Sequence, residues 1–345
     1  MAVKTLKIRI KDSTSCKRLK RMSNAVNFVW NYCNETSFNA IRNRSEWLSG
    51  FDLEKLTKGS SKELGLNANT IQEVCKEYAT RRRQFKKRKI RWRGKKSLGW
   101  IPFKKSNPKF NDGIISCCGL KLKVFQPERL PEKGTYGAGE FSQDARGRWY
   151  LCISVEYTPD YQSGKAEVGI DLGLKDVATL SNGKKVSNGR YYRRYERYLK
   201  YAQRKRKKRL QRTIHAKIRN KRMDDLHKAS TNIVKKNALI VVGKLEAKKL
   251  AKTKMAKSIN DAGTSMFRTM LKYKASAQQH CIYVEVNEAY STQTCSSCLA
   301  VSGPKGLEGL GVREWVCSEC QSHWDRDVNA ALNILRFGRE SLALK

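Results

Sequence analysis

The chain is predicted to be an α/β protein in its C-terminal half, preceded by a small β-barrel that a helical insertion interrupts. Three observations predict this. Strand and helix patterns alternate after residue 165, a Cys-x2-Cys pair recurs near the C-terminus, and the N-terminal third switches from period-two to helical spacing and back. The 345 residues carry 72 Lys+Arg against 31 Asp+Glu, a formal net charge of +41. A field of that size opposes compaction unless a polyanion neutralises it, so nucleic acid is the expected partner.

Taken in order, residues 3–10 alternate Val3, Leu6, Ile8 and Ile10 with basic residues, which predicts one strand. From residue 15 to 93 the spacing becomes three and four: Leu19, Met22, Val26, Val29, Trp30 and Cys33, then Ile71, Val74, Cys75 and Tyr78. About three helices are expected, ending in the basic run 81–96 with its aromatic residues Phe85 and Trp92. Strands are expected around 114–117, 120–125, 139–142 and 149–157, and a polar segment, 158–165, marks a boundary. Two strands, 168–172 and 177–180, follow as a hairpin with its turn at Asn182-Gly183. A single long basic helix, about 191–236, then leads to a buried strand, 239–243. Helical segments to 279, a strand at 281–286 and a last helix at 328–337 complete the order.

No apolar run approaches the roughly 20 residues of a membrane span, and the N-terminus lacks a secretory signal. Eleven cysteines, seven of them scattered, suit a reducing compartment, so a cytoplasmic, nucleic-acid-associated protein is expected. Cys295 and Cys298, then Cys317 and Cys320, have the spacing of a zinc ribbon, in which two knuckles give one tetrahedral thiolate site. Four thiolates leave no open position, so this zinc would be structural.

Three acids are candidate catalytic residues. Asp171 lies inside the apolar stretch VGIDLGL, Glu246 follows the strand LIVVG, and Asp327 precedes the last helix in HWDRDVNAALNIL. Singly, each has an ordinary structural explanation: a strand-end turn, a helix N-terminal acid, an N-cap. Together they stand at element ends of one α/β region, where one sheet edge can gather them. Clustered carboxylates repel unless cations sit between them, and two Mg²⁺ ions there serve in-line phosphodiester hydrolysis. No GxGxxG fingerprint or P-loop occurs, and the four His are scattered.

The segments GIDLGLKDVATL, VVGKLEAKKL, STQTCSSC and CSECQSHWDRDVNAALNIL, in order through 166–337, resemble the split RuvC-type nuclease of the TnpB family, transposon-encoded RNA-guided endonucleases related to type V CRISPR effectors. The resemblance implies an RNase H-like (RuvC) domain over 163–345 with a zinc ribbon inserted at 290–323. It also implies a wedge-like β-barrel over 1–12 and 97–162 and a helical recognition domain over 13–96. It makes Asp171, Glu246 and Asp327 the catalytic Mg²⁺ ligands in that order, gives Asp325 a supporting role, and leaves His323 unassigned because Trp324 intervenes. A lid is implied over 248–274. The implied partners are a guide RNA from the transposon end and double-stranded target DNA beside a short flanking motif, held by a monomer with one RNA in a prokaryotic, nucleoid-associated setting.

Two basic stretches are candidate nucleic-acid surfaces. One comprises Arg81, Arg82, Arg83, Lys86, Lys87, Arg88 and Trp92; the other comprises Arg193, Arg194, Arg204, Lys205, Arg206 and Arg209. Phosphate contacts position a nucleic acid without reading its bases, while Trp92 or Phe85 offers a stacking face. Other readings stay open: a guided repressor with a decayed site, a DNA-joining transposase with an acidic triad, and a ribosomal or RNA-chaperone zinc protein.

Overall fold

The computed structural model describes residues 2–11, 14–104, 109–111, 114–130, 135–159, 161–244, 256–305 and 308–343. They form two compact units, Met1–Tyr157 and Thr158–Lys345. No described helix is long and apolar enough to cross a membrane.

In the first unit, β1 (Ala2–Arg9) pairs antiparallel with β7 (Trp149–Tyr157) along its full length. The sheet order is β1-β7-β6-β2, with β2 at Trp100–Phe103 and β6 at Tyr136–Gln143. Alternation explains the pairing, because Leu6 and Ile8 bury with Leu151, Ile153 and Val155 while the intervening side chains turn outward. A second sheet of β3 (Lys109–Asn111), β4 (Ile114–Cys117) and β5 (Leu120–Lys123) continues from the first through an Ile10–Val124 bridge. The expected barrel is thus two antiparallel sheets joined by one bridge among the described residues.

Between β1 and β2 lie α1 (Thr14–Arg44), α2 (Gly50–Leu56), α3 (Ser61–Leu64) and α4 (Ala68–Phe85), one more than the spacing predicts. The extra helix is a single turn with no buried residue, so it leaves no hydrophobic period to detect. Leu19, Val26, Val29, Trp30 and Cys33 of α1 share a core with Ile71, Val74, Cys75 and Tyr78 of α4. Lys86, in the left-handed region (φ 50), ends α4 and sends the basic run into an extended path.

The second unit has a sheet of order β10-β9-β8-β11-β12. Its strands are β8 (Ala166–Leu172), β9 (Asp176–Leu180), β10 (Lys185–Ser187), β11 (Asn237–Gly243) and β12 (Ile282–Val286). β8, β11 and β12 run parallel, and β9 and β10 are added antiparallel. The Asn182-Gly183 turn therefore joins β9 to β10, a strand too short and polar to show in the pattern, and the β8–β9 turn falls at residues 173–175.

The expected single basic helix is two, α5 (Tyr191–Arg204) and α6 (Lys208–Lys236). Arg206 breaks the helix at φ 50, and Leu199 and Ala202 fold back onto Ile214 and Ile218. Tyr191, Tyr192 and Tyr195 pack against the same cluster, so the two helices bury one apolar seam between them.

Two further helices, α7 (Ala256–Ala262) and α8 (Thr264–Ser276), precede β12. A β13–β14 hairpin (Glu314–Val316, His323–Asp325) runs directly into α9 (Arg326–Ala343). Strand alternation divides the core. Val168, Ile170, Ile240 and Val242 cluster with Phe267 and Leu271, while Leu239 and Val241 cluster with Ile334 and Leu335 of α9.

Candidate active site and metal centre

The meeting of Asp171 with Asp327 follows from how α9 lies on β8. A Cβ at Gly169 would stand 2.0 Å from the Ala331 carbonyl oxygen, so only glycine admits the helix there. Asp171 is two residues beyond Gly169, on the same strand face, and Asp327 is one helical turn before Ala331. At the far end, Gly338 admits Val241 in the same way.

The electrostatics record the convergence. Burial, then the Asp327 carboxylate, then that of Glu288, push Asp171 up from 3.8 to about 8, with Arg326 opposing. Glu288, which sequence reasoning missed, follows β12, and one carboxylate oxygen would lie 2.6 Å from a Cβ on Gly243, at the end of β11. That Oε2 is buried without a hydrogen bond, and burial raises the Glu288 carboxyl against the pull of Arg268. The available signal was position: an acid two residues past a parallel strand adjoining β11. Glu246 lies outside the described residues.

Asp325 performs the capping that would otherwise have explained Asp327. Its Oδ1 accepts the N–H groups of Asp327 and Val328, both at 3.0 Å, and its Oδ2 accepts from Lys185 Nζ at 2.6 Å. Partial burial works against ionisation, but Lys185 and the helix amides hold Asp325 below the usual carboxylate range. Asp327 is thereby left to face Asp171, with Arg313 Nη1 3.6 Å from its carboxylate. His323 is exposed on β14, while Trp324 packs against the cysteine cluster.

The four cysteines are the only described set of three or more ligating side chains whose ligand atoms all lie within 4.8 Å of one another. Cys295 and Cys320 sulfurs are 3.6 Å apart, as are those of Cys298 and Cys317. A tetrahedron with Zn–S bonds of about 2.3 Å has sulfurs about 3.8 Å apart, so the cluster fits zinc. The Ser302 hydroxyl beside Cys317 and nearby backbone N–H groups bring that thiol down to about 6, toward the thiolate a metal requires. Asn329 and Asn333 of α9 both donate to the Ser291 and Thr294 carbonyls at 2.7 to 3.3 Å, and Asn329 accepts from Ser296 N–H at 2.9 Å. These bonds fasten the first knuckle to the helix that carries Asp327. The described carboxylates of Asp171, Asp327 and Glu288 do not all come within 4.8 Å of one another, as the thiols do. As hard oxygen donors that repel one another, they fit Mg²⁺.

Of the basic residues singled out, Arg81, Arg83, Lys86, Lys87, Arg88 and Trp92 are exposed in the first unit. Arg193, Arg194, Arg204, Lys205, Arg206 and Arg209 are exposed in the second, the last four at or beside the α5–α6 turn. Arg82 is a correction. It is 5% exposed, donates to the Leu48 carbonyl, and lies over the Trp47 and Tyr78 rings, so it holds α4 against its neighbours. The spacing Ile71, Cys75, Tyr78, Arg82 already places it on the buried face of α4.

Comparison with known proteins places this architecture. Residues 265–334 match the family model "Cas12f1-like, TNB domain", and residues 150–254 match one described as "Probable transposase" (OrfB_IS605). A Streptomyces pristinaespiralis protein named "Putative RNA-guided DNA endonuclease" is 31% identical over 310 residues, 85% of this chain and 75% of its own length. Escherichia coli K12 InsQ, of the same description, is 31% identical over 230 residues, covering 57% of this chain and 56% of its own. A Cas12f1 chain solved with single guide RNA and target DNA superposes with TM-score 0.56 at 14% identity, covering 96% of this chain and 98% of that one, a likeness of fold. The helix-on-strand packing that joins Asp171 to Asp327, the four-cysteine module spliced before that helix, and this extent of identity lead to one assignment: the chain belongs to the TnpB family.

Proposed function

We propose that this protein is an RNA-guided, Mg²⁺-dependent double-stranded DNA endonuclease with one RuvC-type site, using a guide RNA from the transposon end and a short flanking DNA motif. The observation that carries this reading is the convergence of Asp171 and Asp327 where the first turn of α9 meets β8, with Glu288 close enough to raise Asp171. Buried carboxylates gathered in this way, which Arg313 and Arg326 offset only in part, are a site for cations. The names of the relatives and the guide-bound state of the Cas12f1 neighbour support the choice of substrate.

In this reading Asp171, Glu246 and Asp327 hold Mg²⁺ and the four cysteines hold structural zinc. Magnesium, when bound, supplies the positive charge that activates water and stabilises the leaving 3′-oxygen. The chain supplies position and charge. Asp325 fixes the first turn of α9, Asn329 and Asn333 tie that helix to the ribbon, and Lys185 neutralises Asp325 so that it adds little to the repulsion. Residues 1–12 and 97–162 act as the wedge, 13–96 as the recognition helices, and 163–345 as the nuclease with its ribbon at 290–323. The exposed cations of the α5–α6 turn and of residues 81–88 contact phosphates, and base pairing with the guide reads the target.

The test uses protein co-expressed with its transposon-end RNA and challenged in Mg²⁺ with a plasmid library carrying a guide-matched target beside randomised bases. Guide-dependent breaks that vanish in Asp171→Ala and Glu246→Ala, with RNA and target binding kept within a few fold, are expected. Target binding by the wild type without breaks would favour a guided repressor. Strand-transfer products without guide RNA would favour a transposase.

A further inference from the structure

The first unit carries a groove of about 1100 Å³ whose lining includes Arg81, Phe85, Lys87, Trp92, Lys95 and Lys96. Seven Lys and Arg side chains border it, and no Asp or Glu does. That excludes a metal cation or a basic peptide as occupant and selects a polyanion. Lys87, Arg91, Lys95 and Lys96 have no side-chain hydrogen bond or ion pair among the described residues, so their charge is available.

The wall is built in advance. Asn34 bonds both backbone groups of Ile90, donating to its carbonyl at 2.8 Å and accepting its N–H at 3.1 Å. Asn31 does the same for Arg93, at 2.7 and 2.9 Å, and Trp30 Nε1 donates to the Arg91 carbonyl at 3.2 Å. Two asparagines of α1 thus hold residues 90–93 as a neighbouring strand would. Ile90 is buried there, and Arg91 and Trp92 are both exposed. Trp92 is 48% and Phe85 61% exposed. Lys89, paired with Glu35 at 2.7 Å, stands over the Trp92 ring at 5.1 Å.

We propose that this groove binds unpaired nucleotides, with a base stacked on the exposed ring of Trp92 and phosphates held by Lys87, Arg91, Lys95 and Lys96. Bases within a duplex have their faces covered by their neighbours, so exposed aromatic rings among cations gain only from an unpaired strand. The source is either an unpaired stretch of the RNA or the DNA strand that pairing displaces. The inference rests on the proposed RNA-guided function for the presence of both.

The test compares full-length wild type with Trp92→Ala, Trp92→Phe and the Lys95→Gln/Lys96→Gln double variant. Fluorescence anisotropy measures binding of one labelled sequence as single-stranded RNA, as single-stranded DNA and as duplex DNA, across a salt series. Trp92→Ala is expected to weaken one or both single strands about five- to a hundredfold at unchanged salt slope, with duplex affinity within twofold and most affinity restored by Trp92→Phe. The lysine variant is expected to lower the salt slope, by about 0.7 per lost single-strand phosphate contact. A larger loss on RNA identifies the guide as the source, and a larger loss on DNA identifies the displaced strand. Trp92→Ala without effect, or with equal loss on duplex and single strand, overturns the proposal. Guided cleavage by the wild type, run in parallel, separates the two readings: cleavage without a Trp92 effect removes the groove alone, and a Trp92 effect without guided cleavage removes the function alone.

Discussion

Asp171→Asn should make the magnesium-free protein more stable while abolishing cleavage, and the stability gain should depend on pH. In the folded protein the Asp171 carboxyl is held at about 8, against an ordinary 3.8. The unfolded chain ionises it above about pH 4 while the folded chain resists, so unfolding is favoured increasingly from about pH 4 to 8 and fully above that. At about 1.4 kcal/mol per tenfold change in proton affinity, the ceiling is on the order of 6 kcal/mol. Asp171 retains some accessible surface, and relaxation around it reduces the effect further, so about 2 to 3 kcal/mol is the realistic size. Asparagine cannot ionise and should recover that amount at pH 8 and almost none at pH 4. Denaturant unfolding of both proteins at pH 4.5, 6, 7 and 8.5, in magnesium-free buffer without chelator so that the cysteine site keeps its metal, measures it. Added Mg²⁺ should then stabilise the wild type more than the variant. Wild-type stability that rises relative to Asp171→Asn between pH 5 and 8 would refute the claim that neighbouring carboxylates and burial crowd this acid.

The packing of α9 and the cysteine site give two further expectations. Gly169→Ala forces its Cβ against the Ala331 carbonyl, so α9 should shift, with a loss of about 1 to 3 kcal/mol and at least a tenfold fall in cleavage. Gly311→Ala, which meets nothing within 4 Å, serves as the control, and denaturant midpoints with plasmid cleavage check both. Replacing Cys298 and Cys320 by Ser should reduce bound zinc, measured by mass spectrometry of metals, and lower the folded yield. Because Asn329 and Asn333 tie the ribbon to α9, the protein that does fold should also cleave more slowly; full activity without zinc would show that the ribbon does not support Asp327.

Much of this was legible in the chain. Period-two and helical spacing located β1, β4, β7 and α4 because each buries one face, while β8 and β11, packed on both faces, showed as short apolar runs. The cysteine pairs were legible because tetrahedral ligation constrains their spacing within each knuckle. Asp171 and Asp327 stand out in the sequence as candidates, since a carboxylate in an apolar strand or before a helix is conspicuous locally. The break at Arg206, the short strand β10 and the single-turn α3 left no such trace, because their cause is a partner elsewhere or a burial too small to impose a period.

What sequence alone determined, then, is where ligands are spaced for zinc and how large the excess of positive charge is, since each depends on local pattern or on total composition. Only the tertiary structure decided which groups meet. Glu288 joins the acids because parallel pairing aligns β12 with β11, Asp325 takes the cap and leaves Asp327 to face Asp171, and Asn31 and Asn34 hold the extended wall that carries Trp92. These outcomes depend on contacts between residues distant in the chain, such as Gly169 with Ala331 and Asn34 with Ile90, and a contact of that kind is a property of the packed fold that no window of sequence contains.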